Sequence, residues 1–168
     1  MTFFSVYMSP VGELLLTSDG ENLTGLWLDG QKYHPPQEAV DIMEERNIPV
    51  LADTCRWLDL YFAGERPDPS SLPLAPRGTA FRKTVWDLLL AIPYGETVTY
   101  RDLAERVAQK LGKKSMSFQA VGGAVGHNPI SIIIPCHRVI GSDGSLTGYA
   151  GGLDRKHWLL AHERALPG

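Results

Sequence analysis

Ile132-Ile133-Ile134-Pro135-Cys136-His137-Arg138-Val139-Ile140 is the stretch on which the reading of this chain turns. Three β-branched apolar residues predict a buried strand, and the cysteine stands at its end with a histidine beside it. A free thiol has a pKa of about 8.5, so a site that reacts near neutral pH supplies a base or a positive neighbour. His137 and Arg138 are candidates for those roles. Alone, the Cys-His pair fits a buried structural thiol equally well, and its surroundings must decide.

Towards the C-terminus, Gly141-Ser142-Asp143-Gly144-Ser145 and Gly148-Tyr149-Ala150-Gly151-Gly152 read as a glycine-rich loop carrying one aromatic ring. It lacks the lysine-serine ending of a phosphate-binding P-loop. Mobile glycines around Tyr149 suit a lid over a flat ligand such as a base. Asp154 is placed to cap a final helix, with Leu153 and Trp158 as a hydrophobic staple. On that helix Glu163 shares a face with Leu159 and Leu166. A carboxylate on an apolar face is costly unless paired, so Glu163 either reaches solvent at a rim or partners an imidazole.

Towards the N-terminus, Phe118–Val125 reads as a short helix ended by Gly126-His127-Asn128-Pro129. Its middle, Ala120-Val121-Gly122-Gly123-Ala124, has almost no side-chain bulk. Each glycine costs about 1 kcal/mol relative to alanine in a helix interior. Close approach of another surface repays that, whether a neighbouring helix or a nucleic-acid groove. Upstream, Thr99-x-x-Asp102 resembles a capping box opening a helix through about Leu111. The order helix, connection, helix suggests helix-turn-helix geometry, although a plain helical hairpin reads the same way. Phe81, Val85, Leu88, Leu89 and Ile92 form the apolar face of a further helix capped by Thr79, closed by the turn Pro93-Tyr94-Gly95-Glu96.

Glu65–Gly78 holds Pro67, Pro69, Pro73 and Pro76 and is read as a linker. Before it, Thr2–Met8, Glu13–Thr17 and Leu23–Leu28 predict an antiparallel meander, with Asp19-Gly20 as a hairpin signal. Ala39–Arg46 predicts a short helix. Val50–Phe62 predicts a longer one, with Leu51, Cys55, Leu58 and Phe62 along its buried stripe. That makes Cys55 a small core residue.

The 168 residues carry a net charge of -3, spread unevenly. Residues 1–75 hold four basic and twelve acidic side chains, a net of -8; residues 76–168 hold twelve and seven, a net of +5. An anion-facing C-terminal half follows if the asymmetry exceeds ordinary scatter. Two distant cysteines with no paired-ligand spacing argue against a disulfide framework or structural zinc, and a reducing, cytoplasmic setting is the default. No apolar run approaches the roughly 20 residues of a membrane span, and the N-terminus lacks a basic signal region.

Taken together, these segments resemble the O6-alkylguanine-DNA alkyltransferases, or methylated-DNA–protein-cysteine methyltransferases. Ile134–Ile140 is similar to the family's active-site signature. Phe81–Tyr100 is similar to its helix and turn before the DNA-binding motif, and Ala120–Ala124 with Asn128-Pro129 to its recognition helix and hinge. Tyr149-x-Gly151-Gly152-Leu153 and Trp158-Leu159-Leu160-x-x-Glu163 complete the order. The first 75 residues resemble the family's variable N-terminal domain more loosely.

The resemblance implies an α/β (α+β) fold. Residues 1–75 would form a small ribonuclease-H-like sheet domain, and residues 76–168 a helical DNA-binding and active-site domain with a helix-turn-helix. It implies direct DNA repair by a monomer that binds duplex DNA through the minor groove and flips the damaged nucleotide out. The alkyl group of O6-alkylguanine, and of O4-alkylthymine, would pass to Cys136 once, consuming the protein. No metal or organic cofactor is implied. His137 would take the thiol proton through a water, and Glu163 would orient the imidazole. Tyr100 would donate to guanine N3, and Asn128 would tie the recognition helix to the active-site strand. The carbonyls of Cys136 and Val139 would receive the guanine amine. Tyr149 would pack on the base, with the backbone of Tyr149, Ala150 and Gly151 close to O6. Arg138 would be structural. DNA contacts would come from Gln119, Ala120, Gly122, Gly123, Thr99, Lys113 and Lys114.

Four departures stand out. Gln119 occupies the place of a usual arginine that fills the gap left by the flipped base, which implies weaker DNA affinity or slower flipping. The segment 107–118 is longer than expected, and Lys110, Lys113 and Lys114 are placed to supply the missing charge. Ala150 keeps only a backbone donor where serine or asparagine is common. The zinc ligands of some members are absent. Competing readings are a lesion binder without chemistry, which the presence of Cys136 disfavours, a cysteine hydrolase, and a helix-turn-helix regulator. The last would need longer side chains on the recognition helix.

Overall fold

A computed structural model of the chain describes residues 1–165. The chain divides into two compact units, Met1–Arg77 with Pro129–Ser131, and the chain from Gly78 onward without those three residues.

The first unit starts with the meander. Strand β1 (Phe3–Ser9) pairs antiparallel with β2 (Gly12–Ser18), and β2 with β3 (Leu23–Leu28). Leu14, Leu16, Leu23, Leu26 and Leu28 are fully buried, and helix α2 (Pro49–Phe62) packs on the three strands. The buried side of α2 is Val50, Leu51, Thr54, Trp57, Leu58 and Tyr61. Cys55 is only half-buried, so the expected stripe is rotated. The cause is aromatic: Trp57 and Tyr61 stack with centroids 5.7 Å apart and bury more area than a thiol.

Two expectations fail in this unit. The helix expected over Ala39–Arg46 is instead α1 (Gln37–Asp41), followed by a strand, β4 (Glu44–Glu45), parallel to β1. Helix α1 buries no side chain, so nothing extends it. The free edge of β1 offers bonds instead: the amides of Glu44 and Arg46 donate to the carbonyls of Thr2 and Phe4. The sheet order is β3-β2-β1-β4. The proline-rich stretch is also more than a linker. Leu23 donates to the Pro73 carbonyl at 2.8 Å, Ala75 donates back to Leu23 at 2.9 Å, and Leu72 is buried. Proline lacks only a donor, and here its acceptor is what the strand uses.

The second unit is helical. Helix α3 (Ala80–Leu90) is capped by Thr79 Oγ1, and α4 (Tyr100–Lys110) opens on a complete Thr99–Asp102 capping box. Helix α5 (Phe118–Gly126) is capped by Ser117. The three helices pack on one another through Val85, Leu89, Leu103, Val107, Val121 and Val125. Trp86, absent from the expected face, is 1 % exposed, and its indole N–H donates to the Ala124 carbonyl at 2.9 Å. Helices α4 and α5 form the helix-turn-helix, with a long connection across 111–117.

A short parallel ladder joins β5 (Val98–Thr99) to β6 (Val139–Ile140). Strand β5 runs directly into α4 at Tyr100, and β6 directly follows Cys136–Arg138, so the ladder converges the start of α4 on the Cys-His turn. Helix α6 (Leu153–His162) closes the unit, with Leu160 packed against Ile140. Asp154 is not its cap: Gly152, at φ 95°, is the cap residue, and Asp154 sits in the first turn, where a carboxylate meets the positive end of the helix dipole. The expected staple is not formed, because Leu153 is 52 % exposed and Trp158 stacks on His162. Leu166, expected on the Glu163 face, lies outside the described residues. No described helix is long and apolar enough to cross a membrane.

Candidate active site

The run Ile132–Ile134 is buried as expected, but it is a turn and not a strand. Ile132 has φ 71°, a left-handed conformation that a β-branched residue adopts only under constraint and that no ladder accommodates. Cys136 donates its amide to the Ile134 carbonyl at 2.8 Å across Pro135, and Cys136–Arg138 form a single 3-10 turn. The cysteine therefore opens a turn into β6 instead of closing a strand.

Around that turn His137 and Glu163 are buried. His137 Nε2 donates to Glu163 Oε2 at 2.6 Å. Arg138 Nε donates to the other oxygen at 2.8 Å, as does the Gly95 amide at 3.2 Å, and Arg138 Nη1 donates to the Ile92 carbonyl at 2.7 Å. Burial pushes the Glu163 carboxyl up, but the hydrogen bonds and charges of His137 and Arg138 outweigh it and hold it well below the usual range. Burial, helped by the Arg138 and Lys156 cations, holds His137 below its ordinary value against the pull of Glu163. The state this favours is a neutral imidazole beside an ionised carboxylate whose charge is matched by Arg138. A carboxylate only accepts, so the proton sits on Nε2 and Nδ1 carries a lone pair. That buried Nδ1 has no hydrogen-bond partner among the described residues.

Cys136 is 4 % exposed. Burial pushes its thiol up, opposed by a hydrogen bond from Asn128, the charge of Lys156 and nearby backbone N–H groups. Asn128 Nδ2 also donates to the Ile134 carbonyl at 2.8 Å, linking the end of α5 to the Cys turn. Tyr100 is half-buried, and its hydroxyl donates to the carbonyls of Gly148 at 3.0 Å and Thr147 at 3.3 Å. Burial pushes its phenol up to about 12. Gly148 has φ 67°, and a Cβ there would stand 2.9 Å from the Tyr100 hydroxyl, so only glycine fits this approach. Val139, Tyr149, Ala150 and Gly151 lie in β6 and the loop beyond it. Gln119, Ala120 and Gly123 are exposed on α5, Lys113 and Lys114 are exposed in the connection before it, and Thr99 spends its hydroxyl oxygen as the α4 cap. Among the described residues, alanine at Gly122 or Gly123 would place its Cβ within 4 Å of no atom beyond its chain neighbours and the backbone of its own helix. Packing within the protein therefore does not call for these glycines. Among the described residues no group of three or more His, Cys, Asp or Glu could hold a metal ion.

Two family models match this chain. Residues 2–76 match the ribonuclease-like domain of 6-O-methylguanine DNA methyltransferase, and residues 80–165 match its DNA binding domain. The chain belongs to this family.

Similar 6-O-methylguanine DNA methyltransferase sequences include the methylated-DNA–protein-cysteine methyltransferase of Haemophilus influenzae, 43% identical over 96% of this chain and 86% of that protein. The constitutive enzyme of Bacillus subtilis is 39% identical over 98% and 96%. Among solved structures, Mycobacterium tuberculosis OGT in complex with DNA superposes with a TM-score of 0.82 at 39% identity, covering 97% of this chain and 93% of that one.

One residue of the site is absent from the sequence reading. Lys156 is fully buried, and its Nζ donates to the carbonyls of Val139 at 2.5 Å and Thr147 at 2.7 Å. The signal was available: Lys156, Leu159, Leu160 and Glu163 follow helical spacing and are all buried.

Proposed function

We propose that this protein repairs DNA by moving the alkyl group of O6-alkylguanine onto Cys136 in a single turnover. The observation that carries the reading is the buried Cys136-His137 turn, with His137 Nε2 2.6 Å from Glu163 Oε2, a geometry in which burial favours the neutral imidazole. A bridging water at the unpartnered His137 Nδ1 accepts the thiol proton and passes it to that lone pair. The thiolate attacks the alkyl carbon, an S–C bond forms as the C–O6 bond breaks, and the electron pair stays on the guanine, which then takes up a proton. Tyr100 gives up the loop carbonyls of Thr147 and Gly148 to donate to guanine N3. The carbonyls of Cys136 and Val139 receive the guanine amine, Tyr149 packs on the ring, and the backbone of Ala150 and Gly151 lies close to O6. The thioether does not hydrolyse, so the protein is spent.

DNA binding belongs to residues 76–168, and residues 1–75 form the ribonuclease-like domain. Helix α5 enters the minor groove with Ala120, Gly122 and Gly123 against the backbone and Gln119 at the base pair. The space beyond Gly122 and Gly123 supports this, because a flat helix surface is what a narrow groove admits. Lys113, Lys114 and Thr99 lie at phosphates. O4-alkylthymine presents the same O-alkyl chemistry. A reducing, cytoplasmic compartment suits a free thiol nucleophile, and one copy per lesion suffices.

The test is intact mass after incubation with duplex DNA carrying one O6-methylguanine. The expected result is one methyl gained, on Cys136, stopping at one per protein, and none in Cys136→Ser. DNA binding without any mass change would overturn the reading.

A further inference from the structure

Among the described residues of the second unit, Phe118 is the most exposed large apolar side chain, at 57 %. It opens α5, on a first turn fixed by Ser117, whose hydroxyl oxygen accepts from the Ala120 amide at 3.2 Å. Val121, Ala124 and Val125 supply the buried side of that helix. Phe118 lies on the outward side, beside Gln119 and one turn before Gly122. The Cα–Cβ bond of a helical residue tilts toward the N-terminus, which aims Phe118 off the end of the helix. The charges nearby say what such a ring meets. From Arg106 to Ser142 the chain holds no Asp or Glu, and it carries Arg106, Lys110, Lys113, Lys114 and Arg138. All of these but Arg138 are exposed. Exposed cations close in sequence to an exposed ring suit a polyanion that also has flat apolar faces, and a nucleic-acid base stack is both.

The buried nucleophile supplies the other half of the argument. Cys136 is 4 % exposed, so a base must leave the duplex to reach it. Its departure opens a gap in the stack, and the partner base loses its pairing and its neighbour at once. Gln119 offers that base hydrogen bonds but no ring. The residue before it offers the ring. We propose that Phe118 is an intercalating wedge: its ring enters the base stack at the lesion, lies against the bases bordering the gap and holds the duplex open while the damaged nucleotide is out. The proposal rests on the flipping that the alkyl-transfer reading requires. Phe118 then supplies stacking and Gln119 hydrogen bonding at the same gap. Apolar wedges of this kind unstack a base step and bend the duplex. Every base has a flat face, so the wedge adds affinity without sequence preference.

The experiment compares single-turnover methyl transfer by the full chain, Phe118→Ala and Phe118→Trp, on one O6-methylguanine strand alone and annealed. Phe118→Ala is expected to slow duplex repair about tenfold, the loss of one stacked base, and to stay within about twofold of the parent on the single strand, which has no stack to hold open. Phe118→Trp keeps a flat ring and should keep the duplex rate near that of the parent. Equal slowing on both substrates, or an unchanged duplex rate in Phe118→Ala, would overturn the proposal. Should Phe118→Ala not fold, Phe118→Leu, apolar but without a ring, takes its place. A fluorescent cytosine analogue opposite the lesion reads the stacking directly in Cys136→Ser, which leaves the lesion in place. Its emission should stay low beside Phe118 and rise when Phe118→Ala is added; equal emission would sink the wedge. That second reading needs no chemistry. A parent chain that binds the duplex and transfers no methyl group would therefore refute the proposed function, while the emission still decides the wedge.

Discussion

Gln119 is the residue where the chain departs most from what its family resemblance implies. It stands exposed on the first turn of α5, preceded by Phe118, which is 57 % exposed. Glutamine can hydrogen-bond to the base left behind by a flipped nucleotide, but it carries no charge and stacks less well than a planar guanidinium. Gln119→Arg is therefore expected to speed repair of O6-methylguanine in duplex DNA several-fold, with little effect on a single strand, where no partner base must be replaced. The rate of methyl appearance on Cys136 checks this, and equal rates on duplex for both chains would remove Gln119 from the flipping step. Stability should not change, because the side chain is exposed and far from any described buried network.

Helix α5 makes the opposite kind of case, in which the local rule is broken and the chain itself gives no reason. Gly122 and Gly123 weaken the helix, yet a Cβ at either would meet nothing within 4 Å. Alanine at these positions is expected to stabilise the protein by about 1 kcal/mol each, through helix propensity alone. The same methyl groups would stand between the helix backbone and the floor of the groove, so affinity for lesion-bearing duplex should fall. Thermal unfolding and a duplex titration on the same double variant measure both. A variant that melts higher and binds DNA as well as the parent would mean that α5 does not enter the groove backbone-first. Much of this element was legible beforehand: capping at Thr99, the positions of α4 and α5, and the missing bulk are all local signals. The run Ile132–Ile134 was misread because an apolar triplet reports burial, not conformation, and nothing in its sequence announces φ 71° at Ile132. Glu44–Glu45 was misread for a related reason. Its strand exists only because β1 has a free edge, a property of a distant segment. Lys156 was missed because lysine is so seldom buried that helical spacing was not applied to it.

At the scale of the whole molecule, the site's ionisation state becomes a stability that can be read without substrate. His137 is held below its ordinary pKa by burial and by the Arg138 and Lys156 cations, and Glu163 well below its own by His137 and Arg138. For a histidine whose folded value is depressed, the unfolded chain binds the extra proton first. Stability is then full above about pH 6.5 and declines as the pH falls below that value, by at most about 1.4 kcal/mol per pH unit for one proton. Glu163 adds a second loss below about pH 4.3, where the unfolded carboxylate protonates and the folded one does not. Denaturant midpoints taken from about pH 7.5 down to pH 5 should therefore slope downward, and His137→Phe should flatten the slope between pH 6.5 and 5 whatever it does to the absolute value. A midpoint that instead rises in the parent as the pH falls through about 6.5 would mean that His137 is already protonated in the fold. The imidazole could then not accept the thiol proton, and the base in the proposed transfer would have to be sought elsewhere. The same titration thus tests the chemistry of Cys136 from the folding side, with no lesion present.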